Sequence, residues 1–509
     1  MSGPAYREDP GNRRPFRRQV LLNTASSGIA NGWAMVVALA SLPALLHGLG
    51  VEAFGVWVLL QTFSATNGWC SLADLGVVVA TIREGSARAA DGDLDGVRSV
   101  ASSSMALSGA LGLAAAALLV AIGPWLLPAV FDTPPALTHA LRWGIVFLAV
   151  QIVLDLLINS VEASLEALQR VDLSRAVDIG RRTLVVGTAS VTALVTGSLV
   201  STVAAAAAAT AVALAIGLVV LTAKLPRWRV GPTEARLLLR EGRAIALLRP
   251  LGVVHRTMDR VIVGIVVGPA AVALVEIATQ LQAAADAVLS AASYAIVPAS
   301  SWLARRDDRD SIAELLERGT RYSLVATMPV VVAVATLSGP MVHVWLGRRY
   351  DEAVGLAVVA VLNIAIAAPI SVGSQLLVGM GRAATVTRAA AVALLVNLVV
   401  TWVLVAQIGL VGAFLGTIAS TVVITPLVTR AFLGEAGVST AQFVRRAVAP
   451  VLPPVLAQMA VTLAVVALPW GAWPTLIVGG AAGLAAYCLV AWRVTIGADE
   501  TRQLLSEVR

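Results

Sequence analysis

Residues 202–223 read TVAAAAAATAVALAIGLVVLTA, and they decide the class of fold. The run carries no charged residue and stops at Lys224. It does not alternate apolar with polar residues, so it is not a half-exposed strand. As a helix rising about 1.5 Å per residue it is long enough to cross the hydrocarbon core of a bilayer. Backbone N–H and C=O groups find no water there, and a helix satisfies them within one segment.

Runs of this kind recur along the 509 residues, of which 58% are hydrophobic and only 13% charged. A soluble chain carries about 25% charged residues, because its surface faces water. The sequence therefore reads as an all-α polytopic membrane protein of about 14 transmembrane helices. The expected spans are 21–46, 54–80, 100–122, 143–161, 183–199, 202–223 and 244–267, then 270–297, 322–341, 354–378, 389–406, 410–431, 448–468 and 475–492.

Orientation follows from arginine and lysine, which collect in cytoplasmic loops. With an even number of spans and both termini cytoplasmic, all but five of the 37 basic residues fall on that side. The exceptions are Arg142, Arg256, Arg260, Arg348 and Arg349. The net charge of +7 is thus a mark of topology and not of a nucleic-acid surface. The chain contains no G-x-x-x-x-G-K-[ST] phosphate loop, so it is not itself an ATP-driven pump. Its longest hydrophilic stretch between spans, 224–243, is too short for a nucleotide-binding or catalytic domain. No cofactor is expected.

That basic stretch separates two groups of six spans. Residues 49–55 (LGVEAFG) and 267–273 (VGPAAVA) occupy equivalent places in the two groups. This predicts a cytoplasmic tail over 1–20, a six-helix lobe over 21–223, a linker over 224–243 and a second lobe over 244–432. Two additional helices over 446–493 and a cytoplasmic tail over 494–509 complete it. Parallel repeats are related by an axis along the membrane normal, which puts a substrate site between the lobes.

Several short motifs follow in a fixed order. They are LGVEAFGVW at 49–57, DLGV at 74–77 with Arg83, Gly92-Asp93, and DRVIVG at 259–264 with Pro298. GMGR at 379–382, Asn397, GLVGA at 409–413 and Gly416-Thr417 continue the series. In this order and spacing the chain resembles the polysaccharide flippases of the multidrug/oligosaccharidyl-lipid/polysaccharide exporter superfamily. The sequence departs from that pattern at Glu276 and in having no charge inside the first span. The resemblance implies a V-shaped pair of lobes in a bacterial inner membrane, working by alternating access. It also implies a polyprenyl-diphosphate-linked oligosaccharide as cargo, moved from the cytoplasmic to the outer leaflet, with H+ or Na+ as coupling ion. Glycosyltransferases and a polysaccharide polymerase would then be partners. An ion-coupled drug or metabolite antiporter of the same superfamily is the alternative.

The residues that single out a site are ionisable groups within spans, where an arginine costs about 2.5–3.5 kcal/mol to insert. His255, Arg256, Asp259 and Arg260 lie within six positions of the seventh span. Arg256 and Arg260 are four apart and share a face. Two readings stand: Asp259 neutralises one arginine while the other snorkels, or the arginines form a cationic patch that grips a diphosphate. In the resembling family the seventh helix faces the cleft, which favours the second. Arg142 is a further candidate for the anionic substrate or an interfacial anchor. Asp74, Asp155, Asp259 and Glu276 are candidates for ion coupling or charge pairing. Asn159 is the expected partner of Asp155, and Glu276 and Asp286 the expected partners of the seventh-span arginines.

Overall fold

The computed structural model describes residues 14–294, 296–306 and 308–496. The ends of the expected tails, 1–13 and 497–509, lie outside them. All regular structure in the described residues is helical.

Contacts divide the chain into two compact units, Met1–Val253 and Val254–Arg509. The first unit holds α1 (Arg14–Leu49), α2 (Val51–Gln61), α3 (Val77–Ala90), α4 (Leu94–Val130), α5 (Pro135–Ala167), α6 (Val171–Thr196) and α7 (Leu199–Lys224). The division falls inside α8 (Ala235–Val266), beyond the expected linker. The second unit continues with α9 (Pro269–Tyr294), α10 (Ile296–Ala304), α11 (Arg309–Trp345) and α12 (Glu352–Gly379). It ends with α13 (Ala383–Ile408), α14 (Val411–Ala436), α15 (Thr440–Phe443), α16 (Leu452–Val466) and α17 (Ala472–Val490).

Among the described residues, 11 helices are long and apolar enough to cross a membrane. Three of the expected spans are helical but do not meet that description. The second is broken: α2 ends at Gln61, a 3-10 turn runs over Trp69–Asp74, and the chain restarts at α3. Leu75 and Gly76 both take left-handed backbone conformations at the break, with φ 47° and 80°. At Gly76 a side chain would also run into the backbone of Gly242, so this turn requires glycine. The other two lie in α6 and α8, helices whose first halves are strongly charged, with five charged residues over 172–182 in α6.

In the first unit α5 packs against α3, α4 and α7, while α1 and α7 cover α6. Ile145, Leu148, Ile152, Leu156 and Ile158 on α5 are almost wholly buried. In the second unit α12 packs on α9, α11 and α14, and α13 pairs closely with α14. Glycine permits that last approach: a side chain at Gly412 or Gly416 would overlap the backbone of α13. Helices α16 and α17 lie on α11. There Pro329 removes the helical donor to the Val325 carbonyl, and the Tyr487 hydroxyl replaces it at 3.1 Å.

Candidate functional site

The four ionisable residues of α8 do not form one patch. Arg260 leaves through its Nε to the Glu276 carboxylate of α9, at 2.6 Å. Gln280, one turn along α9, donates to the other oxygen of Glu276 at 2.8 Å. Asp259 makes no direct ion pair among the described residues: it accepts from the Thr417 hydroxyl of α14 at 3.0 Å, while His255 and Arg260 act on it from a longer distance. One residue is a step of about 100° around a helix, which is what parts Asp259 from Arg260. Arg256 and His255 are exposed. Arg256 makes no ion pair among the described residues, and its carbonyl accepts from Arg260 at 3.2 Å. His255 lies in electrostatic reach of both Asp259 and Asp286.

Asp259 opens a pocket of oxygen atoms. Asn397 on α13 donates to Thr417 at 3.1 Å, and Thr417 is also near the Ala413 carbonyl at 3.3 Å. Asp259 Oδ1, Asn397 Oδ1 and Thr401 Oγ1 are buried without hydrogen-bond partners. Thr401, one turn from Asn397 on α13, packs against Gly416, next to Thr417. Buried polar atoms are nearly always satisfied, so an orphaned carboxylate oxygen and two further orphaned oxygens on α13 mark a place built to hold something. One carboxylate and several neutral oxygens suit a proton or a singly charged hard cation. No group of three His, Cys, Asp or Glu residues able to hold a metal occurs among the described residues.

In the first unit the isolated acids of the sequence all acquire arginine partners. Asp74 is buried at the helix break, accepts from the Val78 amide at 3.1 Å and pairs with Arg249 of α8. Asp155 pairs with Arg181 of α6 at 3.3 Å, and Asn159 is not the partner. Arg181 also contacts Asp178 at 2.8 Å and Glu162 at 3.5 Å, while Arg182 straddles Asp178 at 2.9 Å. Hydropathy does not single out Arg181, Glu162 and Asp178, because Arg181 and Arg182 fall just before the expected span 183–199. Spacing held the signal: Asp155 and Glu162 are seven apart on α5, and Asp178 precedes Arg181 and Arg182 by three and four. Arg142 has structural work instead. Its Nε donates to the Pro124 carbonyl at 3.2 Å, the acceptor that Pro128 deprives of its helical donor, and its guanidinium lies 5.5 Å from the Trp125 ring.

The fold is shared with flippases and transporters of known structure. The structure of the lipid II flippase MurJ in an inward closed conformation matches with a TM-score of 0.70 at 12% identity, covering 92% of this chain and 98% of that one. An inward-facing multidrug resistance MATE transporter matches with a TM-score of 0.62 at 15% identity, over 80% and 96% of the two chains. An outward-facing MATE structure gives 0.55 at 16% identity, over 82% and 94%. At such identities these likenesses establish the fold. No curated protein matches the chain in sequence. Residues 48–355 match the family described as polysaccharide biosynthesis protein, and the chain belongs to that family. It is an integral, multi-pass membrane protein.

Proposed function

We propose that this protein flips polyprenyl-diphosphate-linked oligosaccharide from the cytoplasmic to the outer leaflet of a bacterial inner membrane, with both termini cytoplasmic. The observation that carries the proposal is Arg256: it is exposed on a helix expected to span the membrane and has no ion-pair partner among the described residues. An uncompensated cation at that depth is costly, and residues of this kind mark substrate paths. A diphosphate supplies the missing charge and two sets of acceptor oxygens for a guanidinium fork. His255 stands beside it as a second donor. Arg260 keeps its geometry through Glu276 and serves as a positioning residue.

Asp259, Asn397, Thr401 and Thr417 then form the site for the coupling ion, H+ or Na+. Asp259 is next to Arg260 in sequence and three residues from Arg256, so occupancy of the pocket changes the field at the substrate arginine. Family membership and the likeness to a lipid II flippase support the cargo class. Glycosyltransferases and a polymerase of the same polysaccharide are the expected partners. The likeness to MATE transporters keeps a second reading, ion-coupled export of a drug or metabolite, which the same pocket would serve.

Deletion followed by extraction of lipid intermediates tests the proposal. Accumulation of the lipid-linked oligosaccharide on the cytoplasmic leaflet is expected. Unchanged intermediates with altered drug sensitivity would favour the second reading.

A further inference from the structure

The buried charges of the first unit do not balance. Asp155, Glu162 and Asp178 gather on Arg181. Among the described residues the only other cation in direct contact is Arg182, on Asp178, and Arg182 and Arg175 act on Glu162 from a longer distance. Asp178 is well served by both arginines, at 2.8 and 2.9 Å. Asp155 and Glu162 are left with longer contacts to one guanidinium, at 3.3 and 3.5 Å. The side chains of Asp155 and Arg181 are only 3% and 7% exposed, so water does not make up the deficit.

The cations on the neighbouring described elements are held by other acids. On α5 and α6 the adjacent Arg175 is occupied by Glu166 at 3.0 Å. Arg83 and Arg88 of α3 are paired with Glu241 and Glu234, and Glu84 lies 3.9 Å from Arg83. Arg98 of α4 is paired with Asp95. Asp74, at the helix break, is taken by Arg249. Helix α7, packed on both α5 and α6, carries no charge before Lys224. The described side chains of α1 offer only His47, at its far end.

We propose that the Asp155–Glu162–Arg181 group is a proton-binding site, the two carboxyl groups sharing one proton between them. Two carboxylates that compete for one cation in a dry setting cannot both stay ionised, and the pair then titrates as a unit. Unused bonding capacity in the group fits this. Glu162 Oε1 and Arg181 Nε face each other at 3.5 Å without forming a hydrogen bond. Gln151, one turn from Asp155 on the same face of α5, is 5% exposed with its Oε1 also unpartnered, an acceptor for a carboxyl O–H. A metal cation does not fit, because a guanidinium already stands against the same oxygens and would repel it. Binding adds one proton from water to one carboxylate and releases it unchanged. The site is separate from Asp259 and does not depend on the identity of the cargo.

Dicyclohexylcarbodiimide, an apolar reagent that attacks protonated carboxyl groups, tests the inference on the unmodified full chain in native membranes. A cavity lined by Val177, Gly180, Arg181, Ala213 and Ile216 gives it a path from the lipid side. Peptide mass spectrometry is expected to find adducts at Asp155 or Glu162, stronger in acidic than in alkaline buffer, and none at Asp178. Glu162→Gln leaves Arg181 to Asp155 and Asp178 alone and is expected to cut labelling of Asp155 about tenfold, the change that one pKa unit brings. Absence of adducts at both positions, or a yield that ignores pH, would overturn the proposal. Labelling at Asp259 alone would do so too, while leaving the coupling pocket of the second unit intact.

Discussion

Arg260 donates to Glu276 at 2.6 Å, and that bond separates two arginines that the sequence presents as equivalent. They are one turn apart on α8, yet one is neutralised by α9 and the other is not. Their substitutions should therefore fail in different ways.

Arg260→Ala leaves the buried Glu276 with only Gln280 to bond it. Losing a hydrogen bond to a charged group costs about 1.5–3 kcal/mol, so thermal stability falls and transport falls with it. Adding Glu276→Gln to the alanine variant should recover part of that stability, because the stranded carboxylate is removed. Thermal unfolding of the purified single and double variants checks this: the double should melt above Arg260→Ala.

Asp259→Asn keeps the shape of the pocket and removes its one negative charge. If the pocket holds Na+, raising sodium at constant ionic strength should raise the melting temperature of the unmodified protein. Ligand at a hundredfold excess over Kd is worth about 2.7 kcal/mol. Asp259→Asn and Thr417→Val should abolish the shift. If the ion is H+, sodium does nothing and the pH dependence of transport flattens in Asp259→Asn.

Arg181 is the hub of the first unit, and its loss strands Asp155 and Glu162, while Asp178 keeps Arg182. Removing one partner from a buried ion pair costs about 3–5 kcal/mol. Arg181→Met should therefore reduce folded protein in the membrane far more than Asp155→Asn, which leaves Arg181 two acids. Membrane-fraction yield and melting temperature of the two variants measure the order.

Gly416→Val tests whether close packing of α13 and α14 builds the cation pocket. The added side chain would meet Thr401 and force the helices apart. Sodium or proton dependence should be lost together with about 1–3 kcal/mol of stability, the usual cost of overpacking.

Much of this fold is legible in the sequence, because a bilayer demands uninterrupted apolar length and the chain supplies it. The run 202–223 lies wholly within α7. The second span reads as continuous because Gly68, Gly76 and their neighbours are apolar or small, and hydropathy does not register a left-handed turn. The charges of α8 were visible, but their partners were not: Glu276, Thr417 and Asn397 come from other helices, and only their meeting in space assigns them. The bond from Arg142 to the Pro124 carbonyl was not legible either, because it depends on Pro128 withholding a helical donor from a neighbouring helix. Asp155 looked isolated since its partner, Arg181, lies 26 residues away and reads as a loop charge.

The central claim is that Arg256 receives the diphosphate of a lipid-linked oligosaccharide. The most direct measurement is the leaflet distribution of that lipid in cells carrying Arg256→Gln, with protein level and melting temperature matched to the unmodified protein. The account predicts accumulation on the cytoplasmic leaflet close to that of the deletion strain, partly relieved in Arg256→Lys. Normal distribution in Arg256→Gln at normal protein level would contradict it.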